Sequence, residues 1–115
     1  EILIGLVGSE MCIRDRGYKN SLLVLAAYEN EELLGIVRAV GDGATVILVQ
    51  DLLVYPQKQR QGIGTSLLKA VLERYADVRQ IQLVTDNTPK TVAFYQSLGF
   101  VELEKLGCCG FMQAR

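Results

Sequence analysis

Gln57-Lys58-Gln59-Arg60-Gln61-Gly62-Ile63-Gly64-Thr65 joins an apolar run, Val46-Ile47-Leu48-Val49-Gln50-Asp51-Leu52-Leu53-Val54, to a stretch with helical spacing. A glycine-rich turn between a strand and a helix has a physical meaning. The first amide N–H groups of a helix lack intrahelical partners and carry partial positive charge. Glycine lets a phosphate approach that backbone with no Cβ in the way. The stretch therefore predicts an anion site, set against the plainer reading of an ordinary strand-to-helix connection.

The kind of anion follows from the spacing. A P-loop needs a lysine before its Ser/Thr, and Gly64 is followed by Thr65-Ser66. A dinucleotide fingerprint needs a third glycine, and position 67 is Leu. The pattern Gln/Arg-x-x-Gly-x-Gly/Ala fits as Gln59-Arg60-Gln61-Gly62-Ile63-Gly64. It resembles the acyl-CoA pyrophosphate loop of the GNAT N-acyltransferase superfamily. A second segment, Asp86-Asn87-Thr88-Pro89-Lys90-Thr91-Val92-Ala93-Phe94-Tyr95-Gln96-Ser97-Leu98-Gly99-Phe100, resembles the family's next element, a helix ending in Phe-Tyr-x-x-Leu-Gly-Phe. The two motifs stand in the family's order, with one helix and one strand between them. The resemblance covers roughly residues 21–115.

Composition narrows the class. A chain of 115 residues, half of them hydrophobic, forms one small domain with a core. With 12 basic against 13 acidic side chains and no basic run, nucleic acid is not an expected partner. No apolar run approaches the roughly 20 residues of a membrane helix, so no membrane partner is expected. Three cysteines make no disulfide framework, and Cys108 and Cys109 read as small packing residues in a reducing cytoplasm. The cysteine spacing suits no metal, and the lack of histidine removes Ser-His and Cys-His mechanisms.

The beginning is unusual. Residues 7–16, Val-Gly-Ser-Glu-Met-Cys-Ile-Arg-Asp-Arg, resemble the translated end of a transposon adapter used in sequencing libraries. Residues 1–16 are accordingly expected to be a non-native leader, and residues 17–115 an acetyl-CoA-binding domain. The other reading makes residues 2–7 a genuine strand followed by a polar turn. Family members carry a strand and one or two helices here, which often wall the acceptor pocket. The expected fold is α/β: a mixed, mostly antiparallel sheet with helices at about 63–76 and 89–98, lacking the usual N-terminal strand and helices.

Along the chain, residues 21–28, 33–40 and 44–54 read as strands joined by short polar turns. Gln50-Asp51 interrupts the third strand and marks a bulge. Ile63, Leu67, Leu68, Val71, Leu72 and Tyr75 form one helical stripe, which reads as core. Residues 79–85 read as a strand parallel to the third by a crossover. Thr88 suits an N-cap, Pro89 a first helical position and Gly99 a C′ position. Residues 100–106 and 111–114 read as a closing hairpin.

The resemblance implies site residues. A splay at the third strand opens a slot for pantetheine, lined by the backbone of Leu52, Leu53 and Val54. The pyrophosphate falls to Gln59, Arg60, Gln61, Gly62, Ile63, Gly64 and Thr65, and the helix dipole adds about 0.3–1 kcal/mol at an exposed end. Lys58 and Lys69 either add charge near the phosphates or are solvated. Tyr95 matches the tyrosine that faces the CoA sulfur, and is read as the acid or as a core aromatic. A phenol with a pKa of about 10 is well matched to a leaving thiol. The family's asparagine contact to CoA falls to Thr88 or to Asn87, or is lost. Asp51 is read as general base or as anchor of the bulge.

Acetyl transfer from acetyl-CoA to a primary amine, by direct attack in a ternary complex, is the implied reaction. The acceptor is a small-molecule or peptide amine, and near-neutral charge disfavours a polyamine. The competing readings are a non-catalytic CoA-binding module, an inactive truncated fragment, and a chain whose exposed sheet edge makes a homodimer.

Overall fold

The computed structural model describes residues 3–6, 20–59 and 61–115. The adapter-like segment 7–16 and Arg60 lie outside the described residues. The chain divides into two compact units, Glu1–Val84 and Thr85–Arg115.

The first unit is a five-stranded sheet and one long helix. Strands β1 (Leu3–Leu6), β2 (Leu23–Glu29), β3 (Glu32–Gly41), β4 (Val46–Val54) and β5 (Gln80–Leu83) lie side by side in chain order. The first four pair antiparallel, and β5 joins β4 in parallel. The mixed sheet is as the sequence indicates. Leu3–Leu6 pairs with the outer side of β2 as a fifth strand, the element that the strand reading of residues 2–7 expects.

Short links make the hairpins. Asn30 and Glu31 both take positive φ, 51° and 67°, in the two-residue turn between β2 and β3. Such a turn matches the right-handed twist of the strands it joins. The β3–β4 turn is organised by Asp42. Its carboxylate accepts the Thr45 hydroxyl at 2.6 Å and the N–H groups of Ala44, Thr45 and Val46 at 2.8–3.2 Å. The Thr45 hydroxyl and then those backbone donors hold its carboxyl well below the usual carboxylate range.

Helix α1 (Ile63–Arg74) is the crossover between β4 and β5 and packs on β2, β3 and β4. Ile63, Leu67, Leu68 and Val71 are buried, as their spacing requires. Beneath them lie Leu23, Leu25 and Ala27 of β2, then Val37 and Ala39 of β3, all buried. Gly35 shares this face. A Cβ there would lie 2.8 Å from the Leu53 carbonyl oxygen and 3.3 Å from Leu67 Cδ1. Glycine at 35 thus lets β3, β4 and α1 close up around one point.

The second unit carries α2 (Pro89–Ser97) and a short 3₁₀ turn, Leu103–Leu106. The closing hairpin read from the sequence is corrected here, since neither residues 100–106 nor 111–114 form strands. Backbone bonds within the segment explain it. Lys105 N–H donates to Glu102, Gly107 N–H to Glu104 and Cys108 N–H to Leu103, taking groups that a hairpin would have paired. Gly107, at φ 77°, ends the turn. No helix among the described residues is long and apolar enough to cross a membrane.

Glu31 is an exposed non-glycine residue held in the left-handed region. Its replacement by glycine, Glu31→Gly, is expected to stabilise the first unit by about 1 kcal/mol by relieving that strain. Urea unfolding should show a higher midpoint with an unchanged slope.

Candidate active site

The site begins with a change of register. Arg38 of β3 is opposite Asp51, but the next residue, Ala39, is opposite Val49. Gln50 is therefore an extra residue on β4, the bulge that the break in apolar alternation indicates. Beyond it the β4–β5 ladder stops. Their pairing runs from Val46/Gln80 to Val49/Leu83, where β5 ends, whereas β4 continues through residues 50–54 with no β5 residue opposite. The flank of β4 over residues 50–54 is thereby left open, a wedge in the sheet.

Antiparallel pairs alternate between those that exchange hydrogen bonds and those that do not. Tyr55 N–H donates to the Leu34 carbonyl at 3.0 Å, which fixes the phase. Leu53, two residues back, directs its backbone groups toward Ile36. Leu52 and Val54 direct theirs toward the wedge. Of the three residues read as pantetheine contacts, two thus offer backbone donors and acceptors on the open side. Leu53 offers an exposed side chain instead.

Pro56 then starts a 3₁₀ turn, Pro56–Lys58, that leads into the glycine loop. Gln59 Nε2 donates to the Val54 carbonyl at 3.2 Å, tying the loop to the mouth of the wedge. Gln61 and Gly62 are exposed. Gly62 is the N-cap of α1, in the left-handed region at φ 79°, with no side chain capping the helix and no acidic residue in its first turn. The N–H groups of Ile63, Gly64 and Thr65 stand at the uncapped end, since helical bonding starts with Ser66 N–H to Gly62 at 3.0 Å. Ile63 itself is buried, so only its backbone faces a ligand. Lys58 is drawn elsewhere, with Nζ 3.4 Å from Glu32 Oε1, and Lys69 is an exposed residue of the helix.

Asp51 has a partner that the sequence reading missed. Arg38 Nε donates to Asp51 Oδ2 at 2.8 Å, and its Nη1 donates to the Ser21 hydroxyl at 3.3 Å. The guanidinium is largely buried, at 15% exposure, and sits on the face of β3 away from α1. The pair bridges β3 and β4 at the bulge itself. The signal was present: Arg38 is the one charge inside the apolar run 33–40.

Tyr95 belongs to the second unit and is fixed by its own helix. Gly99, at φ 91°, closes α2 with two bonds, Gly99 N–H to Gln96 at 3.0 Å and Phe100 N–H to Tyr95 at 3.1 Å. This ending brings the side chain after the glycine against the one that accepts its N–H. The Phe100 ring accordingly meets Tyr95 edge-on at 5.9 Å, and Phe94 does so at 5.0 Å. Burial, and then the negative charge of Asp86, push the phenol above its ordinary value of 10.0. Thr88 is the N-cap of α2. Its hydroxyl oxygen accepts Thr91 N–H at 3.4 Å and its proton reaches Asp86 Oδ1 at 3.2 Å, while Asn87 beside it is exposed.

Cys108 and Cys109 depart from expectation. Both are exposed free thiols outside any strand, so they are not packing residues. Among the described residues no group of His, Cys, Asp and Glu could hold a metal ion.

Comparison with known proteins identifies the family. Residues 8–109 match the family described as the acetyltransferase (GNAT) domain. An uncharacterized N-acetyltransferase, ycf52, of Gracilaria tenuistipitata var. liui is 30% identical over 89 residues, 76% of this chain and 48% of that protein. The chain thus spans about half the length of that curated relative. Among solved structures, a GNAT-family acetyltransferase of Streptococcus pneumoniae superposes with a TM-score of 0.90 at 34% identity, covering 100% of this chain and 98% of that one. Naa50 of Arabidopsis thaliana, solved with the bisubstrate analogue CoA-Ac-MVNAL, shares the fold with a TM-score of 0.73 at 20% identity, over 85% of this chain and 82% of that one. A bulged β4 and an uncapped helix start behind a Gln-x-x-Gly-x-Gly loop are thus found in a chain that belongs to the GNAT acetyltransferase family.

Proposed function

We propose that the protein transfers an acetyl group from acetyl-CoA to a primary amine by direct attack in a ternary complex. The observation that carries this is the wedge beyond Gln50, which leads to an uncapped helix start in the same unit. A pantetheine arm has alternating amide donors and acceptors, and the open-side groups of Leu52 and Val54 suit it as a neighbouring strand would. The pyrophosphate is assigned to the N–H groups of Gly62, Ile63, Gly64 and Thr65, with Gln59, Arg60 and Gln61 around it. Asn87 is taken as the counterpart of the family's asparagine, because the Thr88 hydroxyl is occupied in capping α2. The solved Naa50 complex, whose analogue joins CoA to a peptide, supports a donor of this class and an amine acceptor.

In the reaction the neutral amine attacks the thioester carbonyl. A C–N bond forms, the C–S bond breaks and the leaving thiolate takes the Tyr95 hydroxyl proton, while the proton shed by the acylated nitrogen passes through water and restores the phenol. An open-side N–H of β4 is a donor for the carbonyl oxygen as charge develops there. Tyr95 suits its role because its raised pKa keeps the proton in place throughout the neutral range. Asp51 is assigned to holding the wedge open through Arg38. A proton moved onto its carboxylate would dismantle that pair.

Three measurements test these assignments. Calorimetric titration should show acetyl-CoA binding far more tightly than ATP. Gly62→Ala should weaken it at least tenfold, because alanine in the left-handed region costs about 1–2 kcal/mol and adds a Cβ where the phosphate approaches. No binding by the folded chain would overturn the proposal.

Tyr95→Phe keeps the ring packing and removes the proton. It should lower kcat on the order of 100-fold while leaving acetyl-CoA affinity unchanged. The sign of the pKa shift places the loss of the acid form above pH 10. The native protein should show an alkaline fall only there, and Tyr95→Phe should show none. A binding module without catalysis would have no rate to lose.

Arg38→Ala and Asp51→Ala should raise KM for acetyl-CoA by similar factors and leave the pH profile of kcat alone. A large fall in kcat for Asp51→Ala, not matched by Arg38→Ala, would show that Asp51 is a base after all.

A further inference from the structure

The acetyl-transfer reading leaves one reactive feature unused, the vicinal pair Cys108-Cys109. Both thiols are free and exposed. They lie on a small closed loop. The 3₁₀ turn Leu103–Leu106 ends at Gly107 in the left-handed region, and Cys108 N–H returns to the Leu103 carbonyl at 2.9 Å. Cys108 Sγ lies 3.6 Å from the Leu106 carbonyl oxygen. At the other end the chain folds back, so that a Cβ on Gly110 would meet Leu103 Cδ1 at 3.4 Å. The two cysteines thus lie on a loop that is held at its start by that bond and returns toward Leu103 at Gly110, each flanked by a glycine.

Adjacent residues in a strand point to opposite faces and cannot share a ligand. Here the residues from 108 onward have no regular structure, so both sulfurs can turn toward one atom. Direct oxidation of the pair is not the favoured chemistry. Consecutive Cα atoms are about 3.8 Å apart across a trans peptide, below the roughly 4.4–6.8 Å of relaxed disulfides. A larger soft atom between the sulfurs removes that mismatch, and thiolates select soft, thiophilic centres.

We propose that Cys108 and Cys109 form a chelating dithiol site for a thiophilic centre of the trivalent arsenical type. With phenylarsine oxide as probe, two As–S bonds form and the arsenic–oxygen bond breaks. Both thiol protons leave on that oxygen as one water, and arsenic stays trivalent, so no oxidant is needed.

The test is intact-protein mass spectrometry of the reduced chain after phenylarsine oxide treatment and a wash with excess 2-mercaptoethanol. One phenylarsenic per chain should survive the monothiol and be removed by 2,3-dimercaptopropanol. Cys108→Ser and Cys109→Ser should each make the adduct at least about 100-fold more labile to monothiol, the lower range of a two-point over a one-point attachment. Both positions are exposed, and far-UV circular dichroism should be unchanged. Cys12→Ser should keep the resistant adduct. The proposal is overturned if the folded chain retains no adduct, if either single variant retains a resistant one, or if loss of Cys12 abolishes it.

Discussion

The faces and pairings of the second half of β4 depend on one extra residue in that strand. Gln50 has no counterpart in β3, and side chains in a strand alternate with a period of two. The insertion therefore changes the face of every residue that follows. Without it Asp51 would point toward α1 and its buried stripe. With it Asp51 lies across from Arg38 on the far face, while Leu52 and Val54 face the helix. Beyond the same residue β4 has no β5 partner, since that pairing stops at Val49/Leu83. A bulge leaves backbone groups unpaired, and here those groups border the opening. The Arg38–Asp51 pair acts as a brace, joining the two strands where the ladder is interrupted.

The two helices show how a chain separates structure from binding at the level of caps. Helix α2 satisfies its own start, with Thr88 accepting Thr91 N–H and Pro89 removing a donor. Helix α1 has neither device. Its N-cap is Gly62, which has no side chain to offer, and no carboxylate stands in its first turn. Its end still carries core, since Ile63 is buried directly behind the glycine. Burial of the stripe from Ile63 to Val71 holds the helix without help from a cap. That leaves the positive end of α1 available for an anion.

Much of this was legible because it is encoded locally. The break at Gln50-Asp51, the glycine at a helix start, the cap at Thr88 and the αL ending at Gly99 are each decided by a few neighbouring residues. Three features were not. Leu3–Leu6 is a strand through its pairing with β2, whereas its short apolar run alone leaves a strand and a non-native leader both open. The segment after Phe100 alternates like a hairpin, yet Gly107 and local hydrogen bonds turn it into a 3₁₀ loop and expose both cysteines. Arg38 was passed over because a charge in an apolar strand gains its meaning only from what lies opposite, and the register that brings it to Asp51 is itself shifted by the bulge.

Tyr95 illustrates how a local motif can set chemistry. The ending of α2 makes the Tyr95 carbonyl accept Phe100 N–H, and that bond draws the Phe100 ring onto the phenol. The contact removes water from one side of the tyrosine, and Asp86, held by its bond from Thr88, adds negative charge nearby. Both effects favour the neutral phenol. The cap at one end of α2 and the glycine ending at the other therefore act on the same proton. A phenol so placed resists ionisation, so its hydroxyl remains a hydrogen-bond donor throughout the neutral range.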